Sequence, residues 1–228
     1  RLAGDFRHPL LFGLLQRIDA WTCRQAATVV VLSTDMEAAL RARPGGARVR
    51  CTVLNNFDLP SFDDASGDAR ATADPRNPGV LRILFAGNLG RFQYLPAMLD
   101  VMARLKGRPV ELVFMGEGAA LPELRRHAAA DPALAVRFLP HGSVAAARRA
   151  MAAAELCLVS LAPGVHRYAY PSKAVTALRE GRPLLVAVEP ESALAEFVRS
   201  RGCGVVFAPG DVDGAVAGLE ALLDDPRR

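Results

Sequence analysis

Two short turns of this chain contain residue types that suit phosphate binding. One turn follows an apolar run at residues 81–85, and the other begins a helical pattern much later in the chain. Glycine lets a backbone approach an anion closely, and the first turn of a helix offers unpaired N–H groups at the positive end of its dipole. The residues that carry this chemistry are Gly87, Asn88, Gly90, Arg91 and Gln93 in or near the first turn and Ser172 and Lys173 in the second. If both turns lie in one parallel sheet, they predict a single site for a nucleotide ligand.

The first turn differs from the better-known phosphate motifs. Its glycines lack the G-x-G-x-x-G spacing of a dinucleotide site, and no G-K-[ST] sequence follows as in a P-loop. By itself, such a turn is as often a tight connection as a binding site. The functional interpretation therefore depends on the second turn, where Pro171 suits the start of a helix.

Other polar residues follow other apolar runs, and each has a structural explanation beside the functional one. Gly116 and Glu117 can form a simple turn or contact a ribose, and His141 can be a solvated loop residue or lie near a base. Residues 163–170 hold one further His, an Arg and two Tyr just before the second turn. Within them Tyr168 can be a packing residue, but its clustering with Arg167 favours ligand binding.

From residue 80 onward, apolar runs alternate strictly with helical patterns. The runs predict strands at 81–86, 110–115, 135–139, 155–160, 183–188 and 204–208. The patterns between and after them predict helices at 96–106, 121–130, 144–153, 172–179, 192–201 and 212–223. This order predicts an α/β fold, a Rossmann-like parallel sheet with helices on both faces. Ligands of such sheets bind beyond the carboxyl ends of the strands, which is where the candidate turns fall.

Residues 1–57 predict part of a second α/β unit. A helical pattern covers 10–21, strands are expected at 28–32 and 50–54, and Thr34 with Glu37 forms a capping-box pattern between them. Residues 58–79 are rich in Pro, Gly and Asp and predict a linker, which leaves residues 80–228 as the second domain. The apolar face of the first helix predicts either packing partners that lie outside this sequence or contact with a membrane surface.

The composition is that of a globular protein, and its positive charge has two interpretations: solvated basic residues of an Arg-rich chain, or a surface that meets anions such as nucleotide phosphates or acidic lipid head groups. Of the 228 residues 51% are hydrophobic and 23% are charged, and the formal net charge is +4. No Lys and Arg run with interleaved aromatic residues occurs, which argues against nucleic acid, and no apolar stretch is long enough to span a bilayer. The four cysteines are far apart in apolar contexts and predict buried thiols of a reducing compartment.

The order of several short motifs resembles the family-4 glycosyltransferases of the GT-B fold, most of all the bacterial subgroup that builds capsule, O-antigen or exopolysaccharide. The resemblance covers most of the chain and implies two Rossmann-like domains, with 1–57 as the end of the acceptor-binding domain and 80–228 as the domain that binds the nucleotide-sugar donor. The matching segments are residues 29–33, 55–58, 86–90, 115–118, 171–173, 181–183 and 210–211.

The resemblance also implies roles for individual residues. Gly90 and Arg91 match the family's phosphate-binding turn, and Ser172 and Lys173 match the helix start that holds the distal phosphate. Arg91 and Lys173 would then stabilise the negative charge that develops on the leaving diphosphate.

At three positions this sequence departs from the family's pattern. Gln93 stands where many members have a lysine near the diphosphate, so that contact would be weaker and neutral. Tyr168 and Thr176 stand where the family has a pair of glutamates, and Thr176 is left as an uncharged partner for a ribose hydroxyl. These changes put the identity of the donor in doubt.

The resemblance implies retaining, metal-independent transfer of a hexose from a UDP- or GDP-sugar, with no further cofactor, to a glycan acceptor that is expected to be lipid-linked. A cytoplasmic place, with contact to the inner face of the membrane, follows from the same subgroup. The 228-residue chain alone is expected to bind the donor weakly and to transfer nothing. Two alternatives stay open: a nucleotide-sugar-binding module without catalysis, and a GT-B nucleotide-sugar epimerase.

Overall fold

The structure, a computed structural model, describes residues 9–57 and 79–225 and contains two parallel sheets. The strands are β1 Val29–Val31, β2 Cys51–Val53, β3 Leu81–Ala86, β4 Val110–Met115, β5 Val136–Leu139, β6 Leu156–Ser160, β7 Leu184–Ala187 and β8 Gly204–Phe207. The helices are α1 Pro9–Gln25, α2 Thr34–Arg41, α3 Pro96–Arg104, α4 Leu121–Ala130, α5 Val144–Ala153, α6 Ser172–Arg179, α7 Ala193–Arg201 and α8 Val212–Asp224.

The larger sheet confirms the predicted α/β fold class. Its six strands are all parallel and lie in the order β5-β4-β3-β6-β7-β8. Helices α3, α4 and α8 cover one face, and α5, α6 and α7 cover the other. The central strands are buried on both sides, which explains why their sequences are nearly continuous apolar runs.

Side-chain caps begin several of the helices that the sequence predicts. The side-chain oxygens of Ser143, Ser192 and Asp211 each accept a hydrogen bond from the backbone N–H three residues further on. The capping prediction for α2 was wrong by one residue, because the cap is Ser33, whose hydroxyl accepts from the Met36 N–H at 3.2 Å. Thr34 is instead the first residue of that helix.

The chain order of the strands reverses between β3 and β6. The ladder between these two strands covers only the pairs Ile83 with Leu156 and Leu84 with Cys157, whereas the ladder between β3 and β4 covers six pairs. The last residues of β3 and β6 are therefore no longer paired with each other. In doubly wound sheets this reversal opens a crevice at the carboxyl ends of the strands, where ligands bind.

The first described segment forms a smaller unit, in which β1 and β2 pair in parallel and α1 and α2 lie beside them. It contacts the larger unit through Asp35, which accepts the Ala193 N–H at 2.9 Å, and through Asn56, which donates to the Tyr170 carbonyl at 3.3 Å. Apolar side chains of α1 stay exposed, including Trp21 at 58%. Residues 58–78, almost all of the predicted linker, lie outside the described residues.

The prediction that all four cysteines are buried was wrong for three of them. Cys157 in β6 is buried, but Cys23, Cys51 and Cys203 are only partly buried, and all four thiols are free. Burial raises the pKa of Cys157 to about 12, which makes this thiol a packing residue of low reactivity.

Candidate functional site

The two predicted turns meet at the crevice between β3 and β6. The Lys173 ammonium, at the start of α6, lies 3.6 Å from the centre of the Phe85 ring, near the end of β3. Gly87 follows Phe85 by two residues, and a Cβ atom placed there would lie 3.6 Å from Lys173 Nζ. One basic side chain therefore spans from the second turn to the first.

The surroundings of Lys173 disfavour its own charge. Phe85 is fully buried, and no described carboxylate pairs with the ammonium. Burial lowers the pKa of Lys173 from 10.5 to about 8. An anion bound next to Nζ would stabilise the charged form of the amine. Anion binding and protonation of Lys173 therefore favour each other.

The backbone of the first turn continues the pairing of β3 with β4. The Gly87 N–H donates to the Met115 carbonyl at 2.9 Å, and the Leu89 N–H donates to the Glu117 carbonyl at 2.8 Å. Gly116 has φ +139°, and a side chain there would overlap the Gly87 carbonyl. The close packing of the turn after β3 against the turn after β4 thus explains the glycine at position 116 without any ligand. The side chain of the next residue, Glu117, is exposed.

The segment after Gly90 is attached to the end of β6. The Ser160 hydroxyl donates to the Gln93 carbonyl at 2.5 Å, and the Ala162 N–H donates to the Phe92 carbonyl at 2.6 Å. Tyr94, with φ +49°, is the one non-glycine residue with positive φ in the described ranges. These contacts fix the 3-10 turn Arg91–Gln93 across the crevice, where the Arg91 side chain is exposed.

Gln93 is the predicted site residue with an unusual environment. Its side-chain oxygen is buried and has no hydrogen-bond partner among the described residues. The same oxygen lies beside Gly90, where an added Cβ atom would be 2.8 Å away. A buried acceptor without a partner is costly, so this amide is available to a donor group of a ligand.

The start of α6 offers backbone donors on the other side of the crevice. Pro171 precedes the helix without a side-chain cap, and the Ser172 and Lys173 N–H groups have no described acceptor. Thr176 lies further along α6 and is partly buried.

Sequence reasoning assigned no role to Glu189, although it fixes the segment before α6. One Glu189 oxygen accepts the Gly164 N–H, and the other lies 2.7 Å from His166 Nδ1. This second contact is not aligned as a hydrogen bond, so it is an electrostatic contact between two buried polar atoms. In the sequence, the signal that could have identified Glu189 as a candidate site residue is its position directly after an apolar strand run.

The segment that Glu189 holds presents Arg167 and Tyr168 to solvent, and Tyr168 is 53% exposed. Tyr168 also lines an open cleft of about 1010 Å³, whose other walls are α1 and residues 39–44. It therefore faces the smaller unit.

His141 is the predicted site residue that lies furthest from the crevice along the sheet. It follows β5, two strands from β3, and its side chain is exposed. Neighbouring strands are about 4.8 Å apart, so His141 begins roughly 10 Å from the end of β3. The structure thus brings Gly87, Gly90, Gln93 and Lys173 together and leaves His141 at the periphery.

The doubly wound sheet with its crevice has the fold of the GT-B glycosyltransferases, as comparison with known proteins shows. HepE from Anabaena, solved in complex with UDP, superposes with a TM-score of 0.71 at 17% identity, over 93% of this chain and 58% of that one. The family model described as "Glycosyl transferases group 1" matches residues 81–225. The chain therefore belongs to this glycosyltransferase family, which confirms the resemblance found in the sequence.

Two curated relatives, both bacterial, carry glycosyltransferase names. The probable glycosyltransferase WbjE of Pseudomonas aeruginosa is 25% identical over 217 residues, which are 95% of this chain and 53% of WbjE. The putative colanic acid biosynthesis glycosyl transferase WcaI of Escherichia coli K12 is 25% identical over 146 residues, 64% of this chain and 36% of WcaI. The chain thus spans about half the length, or less, of these relatives.

No three His, Cys, Asp or Glu side chains within 9–57 and 79–225 are grouped as metal ligands. No helix in that part of the chain is long and apolar enough to cross a membrane.

Proposed function

We propose that this chain binds the nucleoside-diphosphate sugar of a glycosyl transfer reaction at the crevice between β3 and β6. The observation that supports this most is the contact of Lys173 with the turn at Gly87. A basic group with no described carboxylate partner and a glycine turn lie together at the point where the strand order reverses. The names of relatives that act in polysaccharide synthesis, and the UDP bound to HepE, support the same ligand class. Residues 80–228 are then the donor domain, and 1–57 belong to the acceptor domain.

The proposed chemistry is stabilisation of the leaving diphosphate. As the bond to the sugar breaks, negative charge grows on the phosphates, and groups aimed at that charge lower the barrier. Lys173 and Arg91 supply positive charge, while the N–H groups of Gly90 and Ser172 supply hydrogen bonds. The chain's own basic groups carry this role in our proposal, without a metal ion or further cofactor, and the sugar keeps its anomeric configuration.

The contacts of the donor nucleoside follow from the remaining rim residues. Gln93 and Asn88 flank the diphosphate, and Thr176 offers a hydroxyl to the ribose. Glu117 and His141, further along the rim, are proposed to lie toward the base. Arg167 and Tyr168, which face the smaller unit, are proposed to lie on the side from which the acceptor approaches. This gives the predicted site residues other than Gly116, Arg167 and Tyr168 a place along one ligand.

The acceptor and cellular place are inferred from the same family. We propose a lipid-linked glycan as acceptor and work at the cytoplasmic face of the inner membrane, with a hexose as the sugar transferred. The exposed apolar side chains of α1 support contact with a membrane surface, because they present an apolar stripe next to Arg17.

A nucleotide titration tests the donor site directly. Backbone NMR shifts of Gly90 and Ser172 should change on addition of UDP or GDP, and Lys173→Met should weaken binding at least tenfold. Lys106→Met is the matched control, since Lys106 is the other lysine of the chain and pairs with Asp131 on the surface. If neither nucleotide nor its sugars shift Gly90 and Ser172, the proposal is wrong.

One observation favours a second function, a nucleotide-sugar-binding module without catalysis. The residues at the positions of the family's glutamate pair are Tyr168 and Thr176, neither of which is acidic. Incubation of the full-length protein that contains this chain with a panel of UDP- and GDP-sugars and a lipid-phosphate acceptor separates the two functions. Release of free nucleoside diphosphate with each glycosidic bond formed supports transfer by the protein that contains this chain, and binding without release supports the module.

A further inference from the structure

The amine of Lys173 differs from the ordinary lysine of a protein surface. It lies on the ring of the buried Phe85, contacts no described carboxylate, and keeps part of its side chain exposed at the crevice. The chain contains one other lysine, Lys106, which is exposed and ion-paired to Asp131. The chain therefore has two lysine amines in different environments, and the reactivity of Lys106 is an internal control for that of Lys173.

We propose that Lys173 is a site of covalent acylation by acyl phosphates, the mixed anhydrides of a carboxylic acid and phosphoric acid. The reason is that the crevice joins a nucleophile with a phosphate-binding turn. The steering of the reagent rests on the proposed function, because the N–H groups of Gly90 and Ser172, which would hold the donor's diphosphate, would also hold the phosphate of the reagent and leave Nζ to attack as the neutral amine. The nucleophile does not depend on that function.

The reactivity of the amine follows from its burial. Only the neutral amine is a nucleophile, and a lysine in an apolar environment is neutral more often than one in water. With a pKa of about 8, roughly a quarter of Lys173 is neutral at pH 7.5, against about 0.1% for an ordinary lysine. Lower basicity reduces intrinsic nucleophilicity, but by less than the gain in neutral fraction, so a net advantage of at least tenfold remains.

The proposed step is a balanced acyl transfer. The lone pair of Nζ attacks the carbonyl carbon of the acyl phosphate and forms a C–N bond. The bond between the carbonyl carbon and the phosphate oxygen breaks, and inorganic phosphate leaves with the electron pair. The ammonium proton passes to water, so that the product is a neutral amide and no oxidant or reductant takes part.

Acylation would act as a regulator of the same site. It removes the positive charge and the cation–π contact with Phe85, and it adds an acyl group beside Gly87. Both effects oppose a diphosphate, so the acylated chain should bind nucleotide at least tenfold more weakly. The accumulation of acyl phosphate would then lower sugar transfer without any change in protein amount.

The test is incubation of the folded chain with acetyl phosphate at pH 7.5, followed by digestion with a Glu-specific protease and mass spectrometry of both lysine peptides. We expect Lys173 to be acetylated at least ten times faster than Lys106. An equal or slower rate at Lys173 overturns the inference. The N-succinimidyl ester of acetic acid, which has no phosphate, should show a smaller preference for Lys173, and an equal preference overturns the assignment of acyl phosphates as the reagent class.

Two further measurements separate this inference from the proposed function. Saturating UDP or GDP should protect Lys173 and leave Lys106 unchanged. Fast acetylation of Lys173 that neither nucleotide slows contradicts the nucleotide site, although the reactive amine remains. Nucleotide binding together with slow acetylation contradicts only the acylation. Lys173→Arg, which cannot be acylated under these conditions, should show the same nucleotide Kd before and after acetyl phosphate treatment, whatever that Kd is, whereas the Kd of the wild-type chain should rise.

Discussion

The affinity for a nucleoside diphosphate should fall as pH rises through the pKa of Lys173. In the proposed site binding requires the charged ammonium, and burial lowers the pKa at which the free protein loses this charge to about 8. The apparent Kd therefore scales with one plus the ratio of neutral to charged amine. It should rise about tenfold between pH 7 and pH 9, which corresponds to about 1.4 kcal/mol of binding free energy.

Isothermal titration with UDP and GDP at pH 7, 8 and 9 measures this dependence. The terminal phosphate is fully ionised above pH 7, because its second pKa is about 6, so the ligand contributes little to the trend. Lys173→Arg is the decisive control, since a guanidinium stays charged throughout this range. Its Kd should change less than twofold. A wild-type Kd that is constant from pH 7 to 9, or an equally steep change in Lys173→Arg, refutes the reasoning.

The same amine predicts a pH effect on folding in the absence of ligand. The pKa of Lys173 is lower in the folded chain than in the unfolded one, so the unfolded chain binds more protons between about pH 8 and 10.5. The free energy of unfolding should therefore gain a contribution that rises with pH in this window, up to roughly 3 kcal/mol. Urea unfolding at pH 7.5 and 9.5 should show about 1.8 kcal/mol of this gain, and Lys173→Met should remove it.

Three other predictions follow from buried polar groups and thiols. Glu189→Ala should weaken nucleotide binding at least threefold and speed hydrogen exchange at the Gly164 amide. Glu189→Gln can still accept the Gly164 N–H, so its exchange should stay slow. Equal exchange rates in both variants would argue against the role of Glu189. Glu111 contacts Arg82 at 2.5 Å in a buried pair, so Glu111→Ala should cost about 3–5 kcal/mol of unfolding free energy in urea, and a loss below 1 kcal/mol would contradict this. Cys157, with its pKa raised to about 12, should resist iodoacetamide at pH 8.5 until urea unfolds the chain, and alkylation of the native protein would show that the thiol is accessible.

Local sequence patterns predicted the elements of the larger sheet closely, because each element contains its own signal. Helices α4, α5 and α6 begin and end where the apolar period and the flanking residues place them. Strand predictions were too long by one or two residues in β5, β6, β7 and β8. In β5, β7 and β8 an apolar residue beyond the ladder looks the same in the sequence as one within it, whereas in β6 the extra residue is the polar Glu155. Ser33 was missed as a cap because Thr34 has a Glu three residues further on, as the capping box requires, whereas Ser33 has Met36 at that position.

The environment of the site depends on contacts that no local pattern contains. Lys173 lies on the ring of Phe85, 88 residues earlier in the chain, only because β3 and β6 are neighbours and separate toward their ends. Glu189 and His166 meet because β6 and β7 are adjacent strands whose following segments lie at the same edge. The predicted strands placed these groups at the correct edge of the sheet. Which of the groups contact each other depends on the strand order, which the local patterns do not contain.

The segment before α6 connects the candidate donor site to the smaller unit. Asn56 donates to the Tyr170 carbonyl, one residue before the Pro171 that begins the second turn. Asp35 holds the first N–H of α7, in the same connection that contains Glu189, and α2 packs against the 3-10 turn Val165–Arg167. A shift of the smaller unit would therefore act on both ends of this segment. Because Lys173 follows directly, the position of the smaller unit and the placement of the ammonium at Gly87 are coupled through a short chain of hydrogen bonds. Under the proposed function, this coupling would connect an acceptor on the smaller unit to the proposed donor site.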